Sequence, residues 1–326
     1  MEYNKNRYRA LCDTVCDIPL FLQAWWMDAV CNPDKKQWDV FVVENNNEII
    51  AALPYHYFVK LGMKMVFQPT HTQYNGIWIK YQSNLTTHQR LKFEKKVMTQ
   101  IIDQIEQANI RVFHQNFFHQ ITNWQPFYWK GFKQTTRYTY IIKNIVDSER
   151  VFQNFYSFKQ KHIKKAQAHL VVDLNITPSE FYSFHASTLQ AYNKTLFYSE
   201  KLFQSIHQCA QQRQQGQIIG IRDGNNQLHS AAYIVWDKHS AYYLISAIDS
   251  QYKTSGASSL MVWEAIRYLA DKTENFDFEG SMIENVAQSF EEFGAEQTPY
   301  FEISKSNLLF STLVELLKKI KSAKNK

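Results

Sequence analysis

Two carboxylates near the end of the chain have the spacing of an acid–base pair. Aromatic and acidic residues alternate there, in the order Phe276, Asp277, Phe278, Glu279. A strand through these residues would place both carboxylates on one face and both rings on the other. Neighbouring carboxylates raise one another's pKa, as a base working near neutral pH requires. We favour Glu279 as the base because it lies nearest the carboxyl end of the strand. A polar strand end bonded to nearby loops is the alternative interpretation.

A small-residue loop upstream has the composition of an anion site. Residues 241–245 are typical of a strand, and residues 258–270 of an amphipathic helix. The first N–H groups of a helix lack intrahelical partners and carry the positive end of its dipole. Small side chains would let a phosphate approach them. The candidate anion-binding residues are Lys253, Ser255, Gly256, Ala257 and Ser258. An ordinary turn between a strand and a helix is an equally good interpretation of this loop.

A basic helix is predicted over residues 149–168, after Asp147 and Ser148, which are good N-cap residues. Its apolar residues fall on one face and its lysines on the other. The apolar face comprises Phe152, Phe155, Tyr156, Ile163 and Ala166, and the basic face Lys161, Lys164 and Lys165. Like charges at this spacing repel by a few tenths of a kcal/mol, which a bound anion would relieve. A solvated face is the alternative, and Lys159 would lie within the apolar stripe.

Composition predicts a globular chain of two domains. The chain has 326 residues, 45% of them hydrophobic, and a net charge of +6. This balance permits anionic ligands without indicating a nucleic-acid binder. The four cysteines do not have zinc-site spacing, so no metal is predicted and the thiols are expected to be buried and reduced. No run of residues is apolar enough to span a membrane, and a cytoplasmic location is expected.

The second half of the chain repeats the order of the first. Helix, hairpin and strand follow one another twice, with turns at residues 45–47 and 224–226. In this repeat Gln73 and Tyr74 occupy the place of the small-residue loop, which makes them candidate substrate-binding residues. The predicted domains are residues 1–146 and 147–326.

Three segments resemble the GNAT-like proteins, and two of them resemble the Fem-type branch, the peptidoglycan aminoacyltransferases and relatives labelled acetyltransferases. Lys253-x-x-Gly256-x-Ser258 resembles the loop with which GNAT enzymes hold the coenzyme A pyrophosphate, with Lys in the first position and Ser in the last. Residues 161–166 resemble the family's Arg-x-Ile-Arg-Lys-Ala segment, with Lys at both Arg positions. Residues 276–303 resemble its C-terminal end. The resemblance implies an α/β (α+β) fold of two tandem GNAT-like domains, each a mixed, mostly antiparallel sheet flanked by helices.

The activity that this resemblance implies is transfer of an acyl or aminoacyl group to an amine. The acceptor would be a cell-wall (peptidoglycan) precursor or a related phosphorylated or lipid-linked metabolite, and the co-substrate an acyl-coenzyme A or an aminoacyl-tRNA, with no tightly bound cofactor. The paired long helices often found in tRNA-using Fem enzymes have no room between residues 170 and 217. A coenzyme A-dependent N-acetyltransferase and a catalytically inert GNAT-like binding protein are the alternatives. A basic helix predicted over residues 308–326 could also contact an anionic membrane surface weakly.

Overall fold

The computed structural model describes residues 2–60 and 62–306, which form both helices and strands. The helices are α1 (Glu2–Thr14), α2 (Ala24–Cys31), α3 (Thr87–Gln107), α4 (Gln125–Trp129), α5 (Ser148–Asn154), α6 (Ser157–Gln167), α7 (Pro178–Gln190), α8 (Glu200–Gln211), α9 (Ala257–Leu269) and α10 (Glu284–Glu291). The strands are β1 (Gln37–Asn45), β2 (Glu48–Lys60), β3 (Met63–Phe67), β4 (Trp78–Ile79), β5 (Ile110–Asn116), β6 (Lys133–Ile142), β7 (Leu170–Asp173), β8 (Gly216–Asp223), β9 (Leu228–Trp236), β10 (Ser240–Ile248), β11 (Asn275–Asp277) and β12 (Glu296–Ser306). The predicted α/β class with mostly antiparallel strands is confirmed.

The described residues divide into two units, and both are discontinuous in sequence. The first comprises residues 2–14, 35–136 and 300–306, and the second residues 15–34 and 137–299. The predicted domains, residues 1–146 and 147–326, meet ten residues after the boundary at residue 137, but each was predicted as one continuous segment. That division remains a prediction.

The first unit is a sheet covered by α3. Its strands follow the order β1, β2, β3, β5 and β12, all antiparallel except the parallel pair β3 and β5. The predicted hairpin joins β1 to β2 through Asn46 and Asn47, whose φ angles of 48° and 64° are ones that asparagine tolerates. The apolar stripe of α3, including Val97, Ile101 and Ile105, packs in the core.

The second unit places α9 against its sheet. The strand order is β6, β11, β10, β9, β8 and β7, and the predicted hairpin joins β8 to β9. Strands β10 and β11 run parallel, since α9 connects them. Leu260, Trp263 and Ile266 of α9 belong to the core. The sequence pattern predicted α9 and β10 to within one to three residues at each end.

The single helix predicted over residues 149–168 is wrong, because the chain forms α5 and α6 instead. Phe155 between them has an extended backbone, and its ring packs at 5.1 Å from the ring of Phe293. Lys159 lies in the buried stripe, where its Nζ is 3.1 Å from the Glu292 carboxylate and 4.6 Å from the Phe293 ring. The partners of both residues come from far along the chain, so no local pattern revealed them.

Helix α8 begins at Glu200, where the Ser199 side chain accepts the N–H of Leu202 as an N-cap. The basic helix predicted over residues 308–326 lies outside the described residues. None of the helices in the described ranges is long and apolar enough to cross a membrane.

A buried carboxylate attaches residues 15–34 to the rest of the second unit. Asp237 accepts the backbone N–H groups of Leu20, His239 and Ser240, each at 2.8 Å. Burial raises the pKa of Asp237, although the three amides act in the opposite direction. Residues 20–22, all buried, are held in place by this contact.

We expect Asp237→Ala to lower the free energy of unfolding by about 3 kcal/mol or more, because each buried N–H left without an acceptor costs about 1–3 kcal/mol. Urea unfolding followed by circular dichroism measures the loss. Asp271→Ala is the control, since Asp271 is exposed and forms an ion pair with the neighbouring Lys272. Equal losses in the two variants would contradict this account of Asp237.

Candidate active site

Strands β10 and β11 separate soon after they pair. Ser240–Tyr242 lie opposite Asn275–Asp277, after which β11 ends while β10 continues to Ile248. Glu279 therefore does not share a strand face with Asp277, and that prediction is wrong. Glu279 and Gly280 instead have left-handed φ angles of 61° and 76°. A Cβ on residue 280 would lie 2.3 Å from the Tyr138 carbonyl oxygen, so only glycine fits there.

The two carboxylates are nonetheless neighbours. Asp277 is fully buried, and its Oδ1 accepts the Thr139 hydroxyl and, at 2.7 Å, the backbone N–H of Glu279. The Oε1 atom of Glu279 is enclosed and has no hydrogen-bond partner among the described residues. Burial, followed by the charge of Asp277, raises the pKa of Glu279 well above that of an ordinary carboxyl. Glu279 is thus a carboxyl group that holds its proton unusually tightly.

Both the backbone and the side chain of Glu279 oppose folding. A left-handed φ in a residue other than glycine costs about 1 kcal/mol or more, and an unpartnered buried polar atom adds to that cost. Unfavourable features of this kind concentrate at functional sites, where the chemistry needs them.

Glu279→Gln should change how stability depends on pH. Because the raised pKa keeps the proton on folded Glu279 after the unfolded chain has released it, the parent loses stability as the pH rises above the ordinary carboxyl pKa. The variant lacks this loss. Its free energy of unfolding relative to the parent should therefore be higher at about pH 8 than at about pH 5. Urea unfolding at both pH values measures the difference, and a difference independent of pH would contradict the raised pKa.

Two backbone amides in the first turn of α9 have no hydrogen-bond acceptor among the described residues, and we call these the open amides. Gly256 precedes the helix with a φ of 82°, and the Ser255 hydroxyl accepts the N–H of Ala257 at 3.2 Å. The N–H groups of Ser258 and Ser259 donate no hydrogen bond to any residue in the described ranges. The Nζ of Lys253, which is exposed, lies 4.8 Å from the ring centre of Tyr192. This arrangement can accept an anion.

The corresponding helix of the first unit begins with a different cap. The Thr86 side chain accepts the N–H of Gln89, and the Gln89 side chain accepts the N–H of Thr86, which is a capping box. The N–H groups of Thr87 and His88 have no acceptor among the described residues. The two helices therefore differ in which first-turn amide a side chain satisfies, Gln89 in α3 and Ala257 in α9.

The predicted anion-binding loop, residues 253–258, which we call the anion loop, packs against α6, the helix that carries the lysines of the predicted basic helix. A Cβ on Gly256 would lie 3.1 Å from both the Ala166 Cβ and the His162 carbonyl oxygen of α6. Three exposed lysines of that helix have no ion-pair partner among the described residues: Lys161, Lys164 and Lys165. Their charge adds to the positive end of the α9 dipole.

The close contact predicts that Gly256→Ala destabilises the protein more than strain alone would. A left-handed alanine costs about 1 kcal/mol, and the contact with α6 adds to this. Gly131→Ala is the matched control, since Gly131 has a φ of 77° and a Cβ added there would meet no described atom within 4 Å. Thermal unfolding compares the two variants. An equal loss in both would show that α6 does not constrain Gly256.

Gln73 and Tyr74 lie in the first unit and have partners there. The Gln73 side-chain amide donates to the Tyr300 hydroxyl at 3.1 Å. Tyr74 is fully buried, with its ring edge-on to the ring of Tyr300 at 5.1 Å. Their role in substrate binding stays a prediction.

Two features of the site were not predicted from the sequence. Thr139 bonds to Asp277 from 138 residues away. The ring of His229 stacks on that of Tyr252 beside the anion loop. Neither contact has a local signal in the sequence. In the described parts of the chain, no cluster of His, Cys, Asp or Glu side chains could hold a metal ion.

Comparison with known proteins identifies the fold. Residues 158–284 match the family model described as an acetyltransferase (GNAT) domain, and this range includes the three exposed lysines of α6, the anion loop and Glu279. No curated protein matches in sequence. The structure of FemX is similar with a TM-score of 0.67 and 10% identity, covering 91% of this chain and 95% of that one.

Two further solved structures share the architecture. The C-terminal domain of a putative lysylphosphatidylglycerol synthetase from Agrobacterium fabrum has a TM-score of 0.56 and 10% identity, covering 97% of this chain and 96% of that one. A tandem GNAT protein from the clavulanic acid biosynthesis pathway has a TM-score of 0.52 and 10% identity, covering 93% of each chain. The predicted tandem GNAT fold and the Fem-like resemblance are confirmed, and at these identities the likeness concerns the fold.

Proposed function

Because residues 158–284 match a GNAT acetyltransferase domain and the chain has the fold of the Fem-like GNAT proteins, we propose that it transfers an acyl group from a thioester donor to an amine. The observation that carries this proposal is the enclosed Oε1 atom of Glu279, which has no hydrogen-bond partner among the described residues and lies just beyond the point where β10 and β11 separate. A purely structural role would not require a residue whose backbone and side chain both oppose folding.

The donor in this proposal is an acyl-coenzyme A. The open amides of Ser258 and Ser259 hold the pyrophosphate, with Lys253 as a nearby cation. Ser255 and Gly256 shape the turn, and Ala257 begins the helix without adding bulk. The three lysines of α6 lie on the helix that contacts this loop, so their charge also favours phosphate.

Glu279 removes a proton from the attacking amine. The amine nitrogen bonds to the thioester carbonyl carbon, the bond from carbon to sulfur breaks, and the proton that the amine loses passes to the Glu279 carboxylate. The departing thiolate takes that proton, so the carboxylate is restored. A raised pKa suits this exchange near neutral pH. Asp277 contributes by its charge and by holding the Glu279 backbone.

The acceptor in this proposal is an amine that carries phosphate, such as a cell-wall precursor or a related metabolite, either small or lipid-linked. Lys161, Lys164 and Lys165 have no acidic partner in the described structure and would bind its phosphate. Gln73 and Tyr74 are proposed as further substrate-binding residues.

An aminoacyl-tRNA is the second candidate donor. The exposed lysines of α6, which pair with no acid in the described ranges, favour it because such a surface also suits a nucleic-acid backbone. Parallel assays with acetyl-coenzyme A and with charged tRNA distinguish the two donors. A protein that binds coenzyme A but transfers no acyl group would be the inert binding protein instead.

Two variants separate chemistry from binding. Glu279→Gln should lower kcat by about 10²–10⁴-fold with little change in KM, because it keeps the shape of the side chain and removes the base. Lys164→Glu should raise KM for a phosphorylated substrate by about tenfold with kcat unchanged. Steady-state kinetics measure both effects.

Lys201→Glu is the control for the charge reversal, since Lys201 is exposed on α8 and has no ion-pair partner among the described residues. It should leave KM and kcat unchanged. If Glu279→Gln keeps full kcat, Glu279 is not the base. If Lys164→Glu and Lys201→Glu behave alike, the α6 lysines are not a phosphate site.

A further inference from the structure

A ring stack lies directly beside the anion loop. The rings of His229 on β9 and Tyr252 lie 3.7 Å apart with an angle of 7° between their planes. His229 is buried, with 5% of its surface exposed, and neither ring nitrogen makes a well-formed hydrogen bond within the described structure. Its Nε2 lies 3.4 Å from the carboxylate of Asp223. The imidazole of His229 thus packs on the Tyr252 ring on one side and lies beside the Asp223 carboxylate on another.

The stack is attached to the sheet of the second unit. Asp223 accepts the backbone N–H groups of Asn225 and Gln227, each at 2.9 Å, in the turn between β8 and β9. The His229 carbonyl accepts the N–H of Asp249 at 3.0 Å, and the Asp249 carbonyl accepts the N–H of Tyr252 at 3.0 Å. Both the ring and the backbone of His229 therefore hold residues 249–252 against the sheet.

Tyr252 in turn shapes the first turn of α9. Its carbonyl accepts both the N–H of Ser255, at 3.0 Å, and the Ser255 hydroxyl, at 2.7 Å. The same hydroxyl accepts the N–H of Ala257. Because Ala257 is satisfied in this way, the open amides are those of Ser258 and Ser259. A displacement of Tyr252 would change which amides are open and where they point.

We propose that His229 is a positioning residue for the donor site. Its ring, held by Asp223, fixes Tyr252, and Tyr252 fixes the amides that bind the donor's pyrophosphate. The predicted effect on coenzyme A affinity rests on the proposed donor. The effect of His229 on the order of the loop does not, because it can be measured without ligand. The stacking of the residue 229 ring on Tyr252 contributes most of this positioning. The nearby Asp223 carboxylate sets the orientation of the ring.

The test compares a variant that removes the stack with one that keeps it. His229→Ala removes the ring, whereas His229→Phe keeps an aromatic face of similar size. Hydrogen exchange of the peptide spanning residues 253–260, measured by mass spectrometry without ligand, reports the order of the loop. Calorimetric titration with coenzyme A measures the Kd of the donor. His229→Ala should speed exchange about tenfold and raise the Kd for coenzyme A about tenfold, and His229→Phe should restore both to within about threefold.

His185→Ala controls for general loss of stability. His185 is a buried histidine of the same unit, and its Nδ1 is 2.8 Å from the Tyr198 hydroxyl. This variant should lower the melting temperature and leave exchange at residues 253–260 unchanged. Unchanged exchange in His229→Ala, or equal effects in His229→Ala and His229→Phe, would overturn the inference. If the parent protein does not bind coenzyme A, the proposed donor fails and the exchange measurement alone decides the role of His229.

Discussion

The backbone of Tyr138 on β6 lies so close to Gly280 that no side chain fits between them, and this approach determines the path of the chain after β11. Glu279 and Gly280 both have left-handed φ angles, so Glu279 leaves the line of the strand, and its Oε1 atom is enclosed with no hydrogen-bond partner among the described residues. The neighbouring Thr139 donates to Asp277, which accepts the Glu279 amide. Strand β6 therefore constrains the backbone beside the candidate base and bonds to Asp277, while burial and the charge of Asp277 raise the pKa of Glu279.

The two units share an architecture but differ at one helix end. In the first unit the capping box of Thr86 and Gln89 satisfies the Gln89 amide of α3. In the second unit Gly256 precedes α9 with no side chain of its own, and the Ser255 hydroxyl satisfies the Ala257 amide. The glycine also permits the close approach of α6 to the start of α9, where a Cβ would lie 3.1 Å from the Ala166 Cβ.

Local patterns predicted the parts of this chain that depend on local physics. Hairpins with asparagine turns, the stripe of α9 and the small-residue loop follow from backbone preference and periodicity. The break between α5 and α6 could not be predicted, because the Phe155 ring packs on Phe293. The position of Glu279 could not be predicted either, since the strand pattern continues to that residue in sequence while Tyr138 ends it in space. The alternation of aromatic and acidic residues predicted that Asp277 and Glu279 share a strand face, whereas the structure makes them neighbours through the bond from the Glu279 N–H to Asp277.

The open end of α9 is proposed to bind the phosphates of an acyl donor, while the Glu279 carboxyl of the same unit serves as the base. The most direct measurement is a nuclear magnetic resonance titration of protein labelled with ¹⁵N-serine, with coenzyme A as the ligand. We expect the amide signals of Ser258 and Ser259 to move and to reach saturation at one equivalent of bound ligand, while that of Ser148 at the start of α5 stays in place. Signals of Ser258 and Ser259 that do not move at saturating coenzyme A would contradict this assignment.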